Sequence, residues 1–314
     1  MAGIGLAVVL GTILRARFLT VPLGPDEAGF AQVARLWARG EALYGDVAWV
    51  DRPQGLLLIY RLVAATSWDP MARLLAVAAA AVAATATGAA AWALAGRRAA
   101  VIAAGLFAVV SPAPHLEGFT GNGELLGTAW ASCAVAAVAW WTVTGDRRLL
   151  VLAGLTGAIG PLMKQSAMDG LVVVIVVVVA VAVRDRASPV RDLVAVLAGV
   201  ALPLGAVIIH AATIGLGDWW FAMAGHRTQT DSLIRGAFDR RFEQFRDSLG
   251  PFARDLGLLA ALAVAGIFVA ARGRRLTIPL VWLVAAMAIG RDRTASASSA
   301  RAPSSASGAM SCTQ

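Results

Sequence analysis

Long apolar runs separated by short basic turns constrain this chain more than any other feature of its sequence. Hydrophobic residues make up 59% of the 314 positions and charged residues only 15%. A water-soluble domain carries about 25% charged residues and could not bury so much apolar surface. Crossing a bilayer takes roughly 20 apolar residues in a helix. The sequence therefore predicts an all-α, polytopic transmembrane helix bundle with about nine spans, at 2–14, 71–95, 99–113, 125–144, 149–168, 171–183, 193–214, 256–271 and 276–289.

The arginines predict the orientation of this bundle. They recur at alternate turns, at 97–98, 147–148, 184–191 and 272–275. Cytoplasmic loops are enriched in Lys and Arg, so we expect these turns in the cytoplasm. The outer loops 15–70, 115–124 and 215–255 are then extracytoplasmic, in a multi-pass protein of the cell membrane. The net charge of +8 does not indicate a nucleic-acid partner, because the arginines lie between apolar runs and not along one soluble face.

Two outer segments have the pattern of helices that lie along the membrane surface. The run 54–65 is apolar but short and contains Arg61, and a span here would reverse every later turn. We expect an interfacial or re-entrant helix instead. In the loop 215–255, apolar residues from Ile234 to Phe252 recur every three or four positions, which predicts one apolar helix face. That face contacts either the outer leaflet or the other outer loops.

The composition divides the chain into a transmembrane domain over 1–290 and a tail over 291–314 that is rich in Ser, Ala and Arg. We expect the tail to be disordered. The last apolar run is shorter than a span needs, which suggests a truncated or frame-shifted end. The first run has no small-residue cleavage site, so we expect it to be retained as a helix.

Two adjacent acids, Asp26 and Glu27, follow Gly24-Pro25 near the end of the first span. One explanation is helix capping, because a carboxylate in the first turn stabilises the helix predicted over 28–39. Capping uses one of the two acids. The other remains suited to act as a general base on an acceptor hydroxyl. The pair is therefore the candidate catalytic group.

Three further residues could bind phosphate or a metal ion at the outer side. Asp51 and Arg52 form either a surface salt bridge or a site in which the acid binds a divalent cation and the arginine binds phosphate. Lys164 is the only lysine in the chain and ends a predicted span. It either extends to the interface with its stem in lipid or lines a polar cavity.

The order of these motifs resembles that of a known superfamily. GPDEA at 24–28, RGEALY at 39–44 and DRPQG at 51–55 follow the first span, and Ser111-Pro112 and NGE at 122–124 come later. This layout, over about residues 1–290, is similar to the integral-membrane GT-C glycosyltransferases, particularly the bacterial branch related to protein O-mannosyltransferases and lipid A aminoarabinose transferases. The chain departs from that pattern at Gln54, where a second proline is usual.

The resemblance implies an inverting glycosyltransferase of the cell envelope that takes a sugar from a polyprenyl-phosphate donor in the membrane lipid. The acceptor is a glycan, a lipid or a protein. Asp26, with Glu27 beside it, is then the essential acid. Arg52, Lys164 and Arg227 are expected to bind the donor phosphate. A divalent cation, if one is used, is expected at Asp51 and Glu124, and no other cofactor is implied.

Two other kinds of protein fit the same sequence. A transporter or lipid flippase would also place arginines and a lone lysine in its spans, but it should show inverted repeats and paired broken helices, which the sequence does not reveal. The second alternative is a non-catalytic scaffold or an inactive truncated protein, in which the outer carboxylates would be freely replaceable.

Overall fold

The computed structural model of the chain describes residues 2–66 and 68–226, together with positions 246, 247, 250, 257 and 261. The described part is helical, which confirms the all-α fold class, and an isolated β-bridge joins Leu43 to Ala48. The α-helices are α1 (Ala2–Ala16), α2 (Pro25–Ala38), α3 (Gln54–Thr66), α4 (Pro70–Ala95), α5 (Arg97–Val110), α6 (Gly123–Thr144), α7 (Arg148–Met163), α8 (Asp169–Arg184), α9 (Val190–Ile214) and α10 (Leu216–Trp220).

Three helices of the described part, α4, α6 and α9, are long and apolar enough to cross a membrane. They coincide with the spans predicted at 71–95, 125–144 and 193–214. Their length and apolar composition indicate that the protein is associated with a membrane. The predicted count of nine spans is not confirmed, because several of the other helices are shorter than a bilayer requires. The predicted spans at 256–271 and 276–289 and the surface helix between Ile234 and Phe252 lie outside the described residues.

Helix α6 is the centre of the bundle and packs against α4, α7 and α8. Its buried face consists mainly of alanine and valine, which allows neighbouring backbones to approach closely. The contact between α7 and α9 shows the same principle: a Cβ atom on Gly154 or Gly199 would overlap the backbone of the other helix. Small residues at helix contacts are the usual way in which membrane helices gain van der Waals packing.

The turns fall into two groups at opposite ends of the bundle. At one end, which we call the basic end, lie the turns at 96–98, 145–148 and 185–189, where Arg147 pairs with Asp192 at 2.7 Å. At the other, the polar end, lie the segments 17–24, 39–53, 111–122, 164–168 and 215–226. The separation agrees with the alternation of basic and polar turns in the sequence.

Helix α3 forms over the short apolar run for which an interfacial helix was predicted. Leu56, Leu57 and Tyr60 are buried, whereas Leu58 and Leu62 are exposed on the other side. The helix packs against α2, α4 and α7 at the polar end. The helical conformation is therefore confirmed, and its position in the membrane interface stays a prediction.

A buried ion pair between Glu27 of α2 and Arg73 of α4 organises the polar end. The two side chains are 2% exposed, and Nη1 of Arg73 lies 2.6 Å from Oε1 of Glu27. The same Oε1 accepts the N–H of Gly121 at 2.7 Å, and Oε2 accepts the N–H of Gly24 at 3.0 Å. Nη2 of Arg73 donates to the carbonyl of Pro22 at 2.8 Å. Three segments distant in sequence thus meet at one carboxylate.

Arg15, at the end of α1, fixes the other side of the loop between α5 and α6. Its Nε donates to the carbonyl of Gly118 at 3.1 Å, and its Nη2 donates to Oγ of Ser111 at 2.7 Å. The ring of Phe18 stacks on that of Phe119, with the centroids 4.2 Å apart. Because this loop leads directly into α6, these contacts set the position of the first turn of α6.

We predict that Arg73→Met destabilises the protein by about 3–5 kcal/mol, because it leaves the carboxylate of Glu27 buried without its cation. Unfolding in detergent, followed by tryptophan fluorescence, measures the loss. The matched control is Arg35→Met, which breaks the pair between Arg35 and Asp69, whose side chains are 34% and 63% exposed. An exposed pair contributes at most about 1 kcal/mol. Equal effects of the two substitutions would contradict the assigned role of Glu27.

Candidate functional site

The two adjacent acids of α2 have opposite surroundings. Gly24 is extended at the N-cap and Pro25 begins the helix. Glu27 then points into the core, where its hydrogen bond from Gly24 N–H closes the helix start. Asp26 is exposed and makes no hydrogen bond or ion pair with any residue that the structure describes. Capping therefore uses Glu27, and Asp26 is the acid that an incoming molecule can reach.

The segment 39–53 carries Arg52 toward the same helix. Nη1 of Arg52 lies 2.6 Å from Oδ1 of Asp51, and its guanidinium lies 5.9 Å from the centroid of the Phe30 ring. Phe30 follows Asp26 by one helical turn, and residues four apart on a helix are neighbours on one face. Arg52 thus lies beside Phe30, which is one turn of α2 after Asp26.

Tyr44 holds the backbone of Arg52 in place. Its hydroxyl donates to the carbonyl of Arg52 at 2.9 Å. Burial raises the pKa of Tyr44, since a phenolate is poorly solvated away from water. The hydroxyl therefore remains a donor throughout the physiological range of pH.

Lys164 and Glu124 form a second ion pair at the polar end. Helix α7 ends at Met163, and Lys164 is extended. Its ammonium group contacts Oε1 of Glu124 in the first turn of α6, with 15% of the lysine and 39% of the glutamate side chain exposed. A Cβ on Gly123 would lie 2.7 Å from the carbonyl oxygen of Met163. The glycine thus allows the close approach of α6 and α7 that brings the two charges together.

The elements that carry these two pairs touch each other. A Cβ on Gly55 would lie 2.7 Å from both Cβ and the carbonyl oxygen of Leu162. Gly55 is three residues after Arg52, and Leu162 is two residues before Lys164. The start of α3 and the end of α7 are therefore in direct contact, and they present Arg52 and Lys164 at one end of the bundle.

Gln54 connects this contact to α9 and α10. Its Nε2 donates to the carbonyl of Val207 at 3.3 Å, and its Oε1 accepts the indole N–H of Trp219 at 2.8 Å. A proline, which is usual here in the family that the sequence resembles, could make neither hydrogen bond. His226 packs edge-on against Trp49, with the ring centroids 4.8 Å apart. The segment 215–226 thus closes one side of the polar end.

Five of the seven predicted site residues lie at the polar end: Asp26, Asp51, Arg52, Glu124 and Lys164. Two contacts join them, between Asp51 and Arg52 and between Glu124 and Lys164. Glu27 lies behind them in the buried ion pair, where its oxygens already accept three donors. Arg227 lies outside the described residues.

The predicted divalent cation finds no complete ligand set in the described part of the chain. No three His, Cys, Asp or Glu side chains cluster there in a way that could hold a metal ion. Asp51 and Glu124, the two predicted ligands, each face a basic side chain instead. The metal stays a prediction, and no chemical step is derived from it.

Sequence reasoning overlooked the two arginines that build the site. Arg73 and Arg15 are buried, yet both lie in or at the end of apolar runs. An arginine at membrane depth is costly and is nearly always paired with a residue inside the bundle. That rule applied to Arg73 would have indicated a buried acid, although it could not have identified Glu27, which lies 46 residues away.

No protein-family model, curated protein or solved structure matches this chain. The resemblance to the GT-C glycosyltransferases therefore rests on the motifs at the polar end and remains a prediction.

We predict that the polar end faces the extracytoplasmic side. Asp26 and Arg98 are exposed at opposite ends of the bundle. In a chain in which Cys133 and Cys312 are serine, Asp26→Cys should react with a membrane-impermeant maleimide in intact spheroplasts, whereas Arg98→Cys should react only after permeabilisation. The reason is the cytoplasmic preference of arginine-rich turns. The reverse labelling pattern would show the opposite orientation.

Proposed function

We propose that the protein is a membrane glycosyltransferase that moves a sugar from a polyprenyl-phosphate donor to an acceptor on the extracytoplasmic side. The proposal rests on one observation: an exposed acid, Asp26, and two half-buried ion pairs lie at the same end of a membrane-associated helix bundle. The ion pairs are those of Arg52 with Asp51 and of Lys164 with Glu124. The resemblance in motif order supports the same assignment.

A lipid-linked donor sets the geometry that such an enzyme needs. Its polyprenyl chain remains in the bilayer, so its phosphate and anomeric carbon are held at the membrane interface. The catalytic groups must then lie at one level, at one end of the bundle. The contact between the start of α3 and the end of α7 supports this for Arg52 and Lys164.

In the proposed reaction the acceptor hydroxyl oxygen attacks the anomeric carbon while the bond from that carbon to the phosphate oxygen breaks. The carboxylate of Asp26 takes the hydroxyl proton as general base. The electron pair of the broken bond leaves with the polyprenyl phosphate, whose added negative charge Arg52 and Lys164 stabilise. A single displacement of this kind inverts the configuration at the anomeric carbon and needs no covalent intermediate.

The two cations are compensated before the donor binds. Arg52 contacts Asp51, and Lys164 contacts Glu124. Each half-buried cation therefore has a carboxylate partner, because burying an unpaired charge costs free energy. A donor phosphate would replace the carboxylates as the acceptor for the guanidinium and ammonium groups. Arginine forms charge-assisted, bidentate bonds to phosphate as it does to carboxylate, so the guanidinium stays hydrogen-bonded through this exchange. The acids then limit the affinity for free anions and assist product release.

A transporter of lipid-linked phosphate is the second candidate. Helix α7 is short and contains Pro161, three residues before Lys164. Short hydrophobic helices interrupted by proline are typical of transporter binding sites. A transporter would bind the donor without breaking the glycosidic bond, so an assay of sugar transfer separates the two candidates.

We expect Asp26→Asn to reduce sugar transfer at least about 100-fold, the usual contribution of a general base. Insertion and abundance should not change, because Asp26 is exposed and the helix start is capped by Glu27; loss of a charge at an exposed helix start costs at most about 1 kcal/mol. The assay measures transfer from a panel of polyprenyl-phosphate-linked hexoses and pentoses. The matched control is Asp69→Asn, which removes an exposed acid at the same end. Full activity of Asp26→Asn with a working donor would exclude Asp26 as the base.

We further expect Lys164→Met and Arg52→Lys to weaken the binding of polyprenyl phosphate by about tenfold each. Lys164→Met removes a hydrogen bond to a charged group, which contributes about 1.5–3 kcal/mol. Arg52→Lys keeps the charge, but a lysine does not replace a bidentate guanidinium. Binding is measured with the protein in lipid nanodiscs, and Arg35→Lys is the control for the arginine substitution.

The double variant Lys164→Met with Glu124→Gln distinguishes two roles of the lysine. If Lys164 only neutralises Glu124, removal of both charges should restore binding. If the ammonium group binds the phosphate, binding should remain weak. Restored binding in the double variant would contradict the proposed phosphate site.

A further inference from the structure

An apolar groove lies between α4 and α7. It has a volume of about 470 Å³, and its lining includes Ala86, Cys133, Ala137, Trp140, Leu149 and Leu152. Helix α6 forms its floor, and α4 and α7 form its walls. The groove runs along about 10 Å of α6, from Cys133 to Trp140, at 1.5 Å per residue.

The groove opens sideways from the bundle. Val82 and Leu152, on its two walls, are 45% and 46% exposed, whereas the alanines of its floor are buried. Its walls and floor belong partly to α4 and α6, which are long and apolar enough to cross a membrane. A groove on the side of such helices is in contact with the hydrocarbon of the bilayer. An acyl chain is thus the apolar molecule at highest concentration beside it.

One end of the groove meets the basic end of the bundle. The ring of Trp140 packs edge-on against Trp92, with the centroids 6.1 Å apart. The guanidinium of Arg97 lies 5.5 Å from the centroid of Trp92. On the opposite wall Arg148 directly precedes Leu149, and it is exposed. Neither arginine has an ion-pair partner among the residues that the structure describes.

This combination of features is that of a phospholipid site. Paired tryptophans occur at the level of the lipid headgroups in membrane proteins, and basic pockets between membrane helices bind anionic headgroups. We propose that the groove binds one acyl chain of an anionic phospholipid, whose phosphate contacts Arg97 and Arg148. This site lies at the opposite end of the bundle from Asp26, so it is separate from the proposed transfer reaction.

Native mass spectrometry of the full chain in detergent tests the proposal with phosphatidylglycerol and phosphatidylcholine as probes. The protein should retain phosphatidylglycerol, and phosphatidylcholine more weakly. Arg97→Gln should lower the affinity for phosphatidylglycerol about fivefold, the contribution of one basic side chain near an anionic surface. Ala137→Leu, which fills the floor, should lower the retention of both lipids.

Two matched controls lie on α9, away from the groove. Arg191→Gln removes an exposed arginine at the same end of the bundle, and Ala201→Leu enlarges an exposed alanine. Neither should alter lipid retention. The proposal is overturned if Ala137→Leu retains lipid as well as Ala201→Leu does. It is also overturned if Ala137→Leu changes only the oligomeric state, since a second copy of the chain would then occupy the groove. Arg97→Gln replaces an exposed residue. Its effect on lipid retention can therefore be measured even if the protein does not fold with leucine at position 137.

Discussion

The polar end depends on the buried carboxylate of Glu27. Removing a carboxylate and a guanidinium from water costs several kcal/mol per ion, and the attraction between them offsets that cost only where the remaining donors and acceptors are also satisfied. Here Arg73, Gly24 and Gly121 all donate to Glu27. The pair therefore joins α2, α4 and the loop before α6, and of the side-chain nitrogens of Arg73 the Nε alone has no hydrogen-bond partner in the described part of the chain.

The position of Glu27 also explains the division of roles between adjacent acids. Successive residues of a helix point about 100° apart, so when Glu27 faces the core Asp26 faces outward. The buried acid holds the loop that leads to Glu124, and Glu124 in turn contacts Lys164. The exposed acid, Asp26, is the proposed general base. A structural residue and a candidate catalytic residue thus share one dipeptide because they have different neighbours.

Much of the fold was predictable because hydropathy reports directly on the apolar environment of a helix. The runs at 71–95, 125–144 and 193–214 became α4, α6 and α9, and the run at 54–65 became α3. Helix ends also followed local signals, such as Pro25 at the first position of α2. The pairing of Asp51 with Arg52 was one of the two alternatives that the sequence offered, because the two are adjacent. The pairing of Lys164 with Glu124 was not anticipated, because 40 residues separate them and no local pattern records such a contact.

The sequence by itself determined that the chain is helical and associated with a membrane, that its arginine-rich turns alternate with polar ones, and that its acids collect in the polar turns. These properties depend on composition and spacing along the chain. Only the tertiary structure decided that Glu27 is buried, that Arg73 is its partner, and that Gly55 and Gly123 allow the start of α3, the end of α7 and the start of α6 to meet. The reason is physical: ion pairs and close backbone contacts form between segments distant in sequence, and they exist only when the helices have packed.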